Sequence, residues 1–112
     1  MNTIIKINKN ELSIYKNTIK FCYDIRDTKI ADNIVIVLLS IPFGVDEISN
    51  IYAISLDCKI IWKVENRKSN RRNLPFENIF LNNRILTATD FYGKRYFINI
   101  TNGLIEKTDI VK

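Results

Sequence analysis

Residues Ile51 to Glu65, IYAISLDCKIIWKVE, decide the fold. Tyr52, Ile54 and Leu56 alternate with smaller or polar residues, as one face of a strand requires, and the DCK of Asp57 to Lys59 supplies a tight turn into a second strand ending at Trp62. Much of this pattern returns as RYFINITNGLIEKTD. Tyr52, Ile54, Leu56, Ile60, Ile61 and Lys63 align with Tyr96, Ile98, Ile100, Leu104, Ile105 and Lys107 at a constant offset of 44 residues. The TNG of Thr101 to Gly103 takes the place of the DCK turn. Upstream, NIVIVLLS from Asn33 corresponds to NRILTATD from Asn83, with extra loop residues in the first copy. Each unit reads as strand, loop, strand, tight turn, strand: an antiparallel meander used twice.

The rest of the chain extends this picture. IVIVLLS is apolar on both faces, which marks a central strand covered on both sides. TIIKINK places Ile5 and Ile7 opposite Lys6 and Asn8, and NKN turns it into ELSIY, a first hairpin. TIKFCYDI alternates again, DTKIADN breaks the alternation, and IPFGVDEISN reads as a loop punctuated by Pro42 and Gly44. One short helix is admissible between Asp24 and Asn33, or around Glu77. The expected fold is a single all-β domain over residues 1–112, with an N-terminal hairpin and two blade-like antiparallel meanders packed as a sandwich or a strongly bent sheet. Its expected core is Ile36, Leu38, Ile54, Leu56, Ile61, Ile98 and Ile100, with Trp62 inside.

Composition bounds the chemistry. With 112 residues, 46% of them apolar and 11% aromatic, the chain can build one modest core. It has no histidine, which removes the imidazole base, the Ser-His and Cys-His pairs and the commonest metal ligand. Cys22 and Cys58 fit no zinc spacing, the three glycines form no phosphate-cradling loop, and the adjacent acids of VDEI read as a solvated pair. The expectation is a chain with no enzymatic activity, no cofactor and no metal. No signal-peptide core opens the sequence, and its longest apolar run, Ile34 to Phe43, is far short of the roughly 20 residues a spanning helix needs. That predicts a cytoplasmic location, no membrane partner, and two reduced, partly buried thiols.

Charge is uneven. Seven Lys and Arg balance seven Asp and Glu through Ile61, whereas ten face five from Trp62 onward, so the whole excess of +5 sits in the C-terminal part. Arg67, Lys68, Arg71 and Arg72 form its densest piece, either a solvated loop or a loop that binds phosphate or an acidic protein face. DFYGKRYF interleaves Phe91 and Tyr92 with Lys94 and Arg95, which reads as a hairpin or as a base-stacking surface. Asp46 and Glu47 make a second candidate surface of opposite sign.

Two resemblances follow from these residues. Tyr52, Ala53, Asp57, Lys59 and Trp62 resemble a blade of the pyrroloquinoline-quinone-type β-propellers, with Cys58 where that pattern has Gly. A closed ring needs at least about four blades, so neither ring nor cofactor is implied. From about Asp32 to the end, Asn50, Tyr52, Ala53, Asp57, Trp62, Asn83, Ile85, Leu86, Ala88, Tyr92, Gly93 and Tyr96 resemble the immunity proteins of bacterial contact-dependent growth inhibition and related polymorphic-toxin systems. That resemblance implies a stoichiometric inhibitor that binds a cognate toxin effector domain, such as a nuclease, in the cytoplasm. Immunity proteins against nucleases are often acidic, and this chain departs from that with a pI near 9.3. Its toxin then presents acid to the basic segment, or the neutral part makes contact through Asp46 and Glu47. The alternative function is binding of RNA or single-stranded DNA by the basic loop and the aromatics.

Overall fold

The computed structural model describes residues 5–67 and 74–110, which hold eleven strands and no helix. The N-terminal sheet contains β1 (Ile5–Asn8), β2 (Glu11–Ile14) and β3 (Asn17–Lys20). The middle sheet contains β4 (Ile25–Ala31), β5 (Ile34–Leu39), β6 (Ile51–Ser55) and β7 (Ile60–Lys63), and the C-terminal sheet β8 (Phe76–Asn82), β9 (Ile85–Asp90), β10 (Lys94–Ile98) and β11 (Ile105–Ile110). Every sheet is an antiparallel meander with its strands in sequence order.

The middle sheet is covered on both sides, as β5 demands. Val35, Val37 and Leu39 point with Ile54 toward Leu12, Ile14 and Phe21. Ile36 and Leu38 point the other way, with Ile51, Ala53, Trp62 and Val64, against Phe76, Ile79, Leu86, Ala88, Tyr96 and Ile98. Each fully buried Val, Leu, Ile or Phe among these stabilises the fold by about 1.5–3 kcal/mol relative to exposure. The outward face at one end of the stack is polar, with Lys6, Asn8, Glu11, Ser13, Thr18 and Lys20; the face at the other end mixes Thr87, Thr89, Arg95, Lys107 and Asp109 with exposed Phe80 and Ile85 and half-buried Phe97.

The repeat extends to its irregularities. The bulge between Ile25 and Asp27 in β4 recurs between Phe76 and Asn78 in β8, and the bulge at Ala53/Ile54 recurs at Phe97/Ile98. Tyr52 and Tyr96 occupy equivalent positions in the third strand of their sheets, as expected. Their faces carry the packing logic: Tyr52 and Ile54 look toward the N-terminal sheet, Tyr96 and Ile98 toward the middle sheet. Equivalent faces of successive sheets therefore point the same way.

Several expectations are corrected. TIKFCYDI is two strands: β3 stops at Lys20 because Phe21 N donates to Asn10 O at 2.8 Å and Ile25 N to Lys9 O at 2.8 Å, which carries the chain from one sheet to the next. The N-terminal hairpin thereby becomes a three-stranded sheet. DTKIA lies within β4 and Glu77 within β8, so both admissible helices are strands. Ile34 and Ile85, each the first residue after a two-residue turn, are equivalent, which shifts the Asn33 to Asn83 alignment by one. In the fourth strands Trp62, opposite Ala53, matches Lys107, opposite Phe97, again one residue from the expected register. Ile61 is consequently the extra residue of a bulge and is exposed. Leu56 and Ile100 are half-buried at the rims of the two clusters, while Ile36, Leu38, Ile54 and Ile98 are fully inside. Both thiols are free, but Cys22 is exposed and only Cys58 is half-buried.

Candidate functional site: the loop end of the stack

Meander topology sorts the connections of the two four-stranded sheets between two ends. Turns 32–33, 56–59, 83–84 and 99–104 lie at one end; loop 40–50, residues 64–67 after β7, residues 74–75 before β8, and turn 91–93 lie at the other. The first end is a structural clamp. Trp62 donates its indole N–H to Ile100 O at 2.9 Å, and its ring lies so close to Gly103 that a Cβ there would sit 2.6 Å from Cε3. Gly103 also has φ of +79°, so only glycine fits on both counts.

The second end gathers the candidate residues. Asp90 closes the β9–β10 turn: its Oδ1 accepts from the backbone N–H groups of Tyr92 and Lys94, each at 3.0 Å, and Gly93 N donates to Asp90 O at 3.1 Å. The turn so held displays Phe91 and Tyr92, 73% and 70% exposed, with ring centroids 6.1 Å apart in an edge contact. Lys94 places its ammonium 5.3 Å from the centre of the buried Tyr96 ring.

Arg67 corrects the expectation of an exposed basic fork. Its guanidinium stacks 3.9 Å from the Phe76 ring centre and 4.9 Å from that of Tyr96, and Nη2 donates to Ile48 O at 2.8 Å and Leu74 O at 2.6 Å. The planar group bridges loop 40–50 to the start of the C-terminal sheet, a use that suits arginine better than lysine. Lys68, Arg71 and Arg72 lie outside the described residues. Arg95 is on the outer face of the C-terminal sheet, not at the loop end. It forms a bidentate pair with Asp109 at 2.8 and 2.7 Å, which raises the Arg95 pKa and lowers that of Asp109.

The acidic pair divides. Burial pushes the Glu47 carboxyl up, but hydrogen bonds from Ser49 N at 2.9 Å and Lys63 Nζ at 3.2 Å outweigh it and hold the group below its ordinary value. Asp46 is exposed and makes no ion pair among the described residues. Beneath this loop Asn50 is fully buried: its amide donates to Leu39 O at 2.8 Å and Phe76 O at 2.9 Å, and its Oδ1 accepts from Phe76 N at 2.9 Å. Asn50 thus clips the middle and C-terminal sheets together. Sequence reasoning missed this role, as it missed Phe43, which projects wholly into solvent from the same loop; the Pro-Phe-Gly turn around Phe43 is the signal that could have found it.

An open groove of about 630 Å³ runs along the outer face of the C-terminal sheet beside Phe80, Ile85, Thr87, Thr89, Phe91 and Arg95. Its walls are alternating strand positions of one sheet, and it opens toward the Phe91 rim.

Comparison with known proteins adds a fold and a family. The chain superposes on the crystal structure of the computationally designed Ika8 protein with a TM-score of 0.61 and 10% identity, over 94% of this chain and 35% of that one. It therefore spans about a third of that protein's length, and the likeness is one of fold. No curated protein matches. A family model matches residues 1–110, and the chain belongs to that family, described as Domain of unknown function (DUF7957).

Proposed function

We propose that this chain is an immunity protein, a non-catalytic inhibitor that binds a cognate bacterial toxin effector domain in the cytoplasm and neutralises it by occlusion. The observation that carries the reading is the loop end: exposed Phe91 and Tyr92 on a turn pinned by Asp90, beside the acidic loop and the first residue of the basic segment, on a stack of three packed sheets. Aromatic anchors flanked by charges are the usual energetic centre of a protein interface. A rigid scaffold keeps the entropy cost of docking small. In this reading Lys68, Arg71, Arg72 and Lys94 steer the partner and meet its acidic groups, and the toxin is a nuclease or another cytoplasmic effector.

Binding of RNA or single-stranded DNA has less support. Arg67 stacks on its own chain's aromatics and Arg95 is neutralised by Asp109, which takes two cations from that surface.

The test is co-expression with the effector domain encoded beside this chain. Growth should be restored and a complex of about one to one recovered that survives moderate salt. A chain that instead releases its ligand with a steep log-log salt dependence binds nucleic acid.

A further inference from the structure

Loop 40–50 carries chain that the fold does not require. Between second and third strands the C-terminal sheet needs only residues 91–93, whereas the middle sheet spends 40–50 on the same gap. The equivalent pairs Ile34 and Ile85, then Tyr52 and Tyr96, put the excess at seven residues. In repeat architectures such insertions collect on one face, often the binding face.

The excess is organised. Val45 N donates to Pro42 O at 3.2 Å and Gly44 has φ of +87°, which makes Pro42 to Val45 a hydrogen-bonded turn of the kind that needs glycine at its third position. Phe43 sits at the second position with its side chain 106% exposed, as bare as in an isolated peptide. The base of the loop is tied down by Asn50 to Leu39 and Phe76, by Arg67 to Ile48, and by Glu47 to Ser49 and Lys63. A phenyl ring that touches no core and is held on a stiff turn does nothing for stability. It is preorganised for insertion into something else.

Charge narrows what that is. Residues 40–50 contain Asp46 and Glu47 and no cation, and Glu47 is committed to Lys63, so Asp46 is the carboxylate available to a partner.

We infer that Phe43 is the principal anchor of the interface, with Phe91 and Tyr92 as neighbouring contacts. The partner then supplies an apolar pocket of phenyl size with a lysine or arginine at its rim for Asp46. This rests on the protein-binding reading above, and selects loop 40–50 over the basic segment as the interface centre.

Full-length chain and the Phe43→Ala, Asp46→Asn and Ile85→Ala variants are titrated calorimetrically against the neighbouring effector domain, with thermal melts of each variant alone. The melts should coincide, since all three side chains are exposed. Phe43→Ala should weaken binding by about 30-fold or more, as a central hot spot does. Asp46→Asn should weaken it by about three- to tenfold and flatten its salt dependence, and Ile85→Ala should leave it unchanged. Tight wild-type binding that Phe43→Ala alters by less than twofold overturns the anchor while leaving the immunity function standing. No wild-type binding overturns both.

Discussion

The middle and C-terminal sheets are the same meander in two settings, and six equivalent positions show what the setting demands. On the face that the middle sheet turns toward the C-terminal sheet stand Ile36, Leu38, Ile51, Ala53, Trp62 and Val64. The matching positions of the C-terminal sheet, which face solvent, hold Thr87, Thr89, Arg95, Phe97, Lys107 and Asp109. Backbone geometry is conserved to the bulges, while five of the six side chains change from apolar to polar. Phe97, the one aromatic among the six, lies under two cations, Arg95 at 5.3 Å and Lys107 at 4.4 Å. The two faces therefore differ by side-chain choice rather than by any change of backbone.

The strongest way to break this comparison is at the clamp. Trp62→Ala should destabilise the fold by about 3–5 kcal/mol, whereas Lys107→Ala at the equivalent position should change stability by less than about 0.5 kcal/mol. Urea unfolding of the two variants measures both. Gly103→Ala should behave like a weakened Trp62 variant, because the new methyl displaces the indole.

An exchange of residues between the faces is the next test. Ile36→Thr should cost about 2–4 kcal/mol, from lost packing and a buried hydroxyl, while Thr87→Ile should be neutral within about 0.5 kcal/mol. Equal costs would mean that the outer face is buried after all, against another molecule.

Two arginines sharpen the same contrast. Arg67→Lys should lose about 1–2 kcal/mol, because lysine cannot reproduce the stacked, forked group over Phe76 and Tyr96. Arg95→Lys, on the exposed face, should leave the melting temperature where it is.

The smallest effect is electrostatic. Glu47 is held below its ordinary value of 4.5, so the stability it contributes is fully present above that pH and is lost as pH falls through its folded pKa. Glu47→Gln should lose that small contribution at pH 7 and converge on wild type as pH falls through the folded pKa of Glu47, so the variant is the less acid-sensitive of the two. Melts at pH 7 and pH 4 separate the two.

How much of this was legible in the sequence depends on period and register. Period-two alternation marked β1, β2 and β6, a run apolar on both faces marked β5, and the returning Tyr-x-Ile pattern located β10. Position β4 was hidden because Asp27, Thr28 and Lys29 are polar edge-strand residues whose neighbours, not their own hydropathy, make them extended. Bulges shifted the fourth strands by one residue, which no alternation rule detects, and so Ile61 lies outside, while Trp62 is inside as expected. Among candidate site residues, Phe91 and Tyr92 were legible from the turn signal around Gly93. Arg67 was not, because its destination is set by Phe76 and Tyr96, distant in sequence and brought together only by sheet stacking.

The central claim is that one end of the stack works and the outer face of the C-terminal sheet merely closes it. Amide proton and nitrogen shifts of the labelled chain, recorded with and without the effector partner proposed above, test this most directly. The account predicts large changes confined to residues 40–50 and 91–94, with Thr87, Thr89 and residues 105–110 unmoved. Large changes along β9 and β11 with a silent loop 40–50 would contradict it.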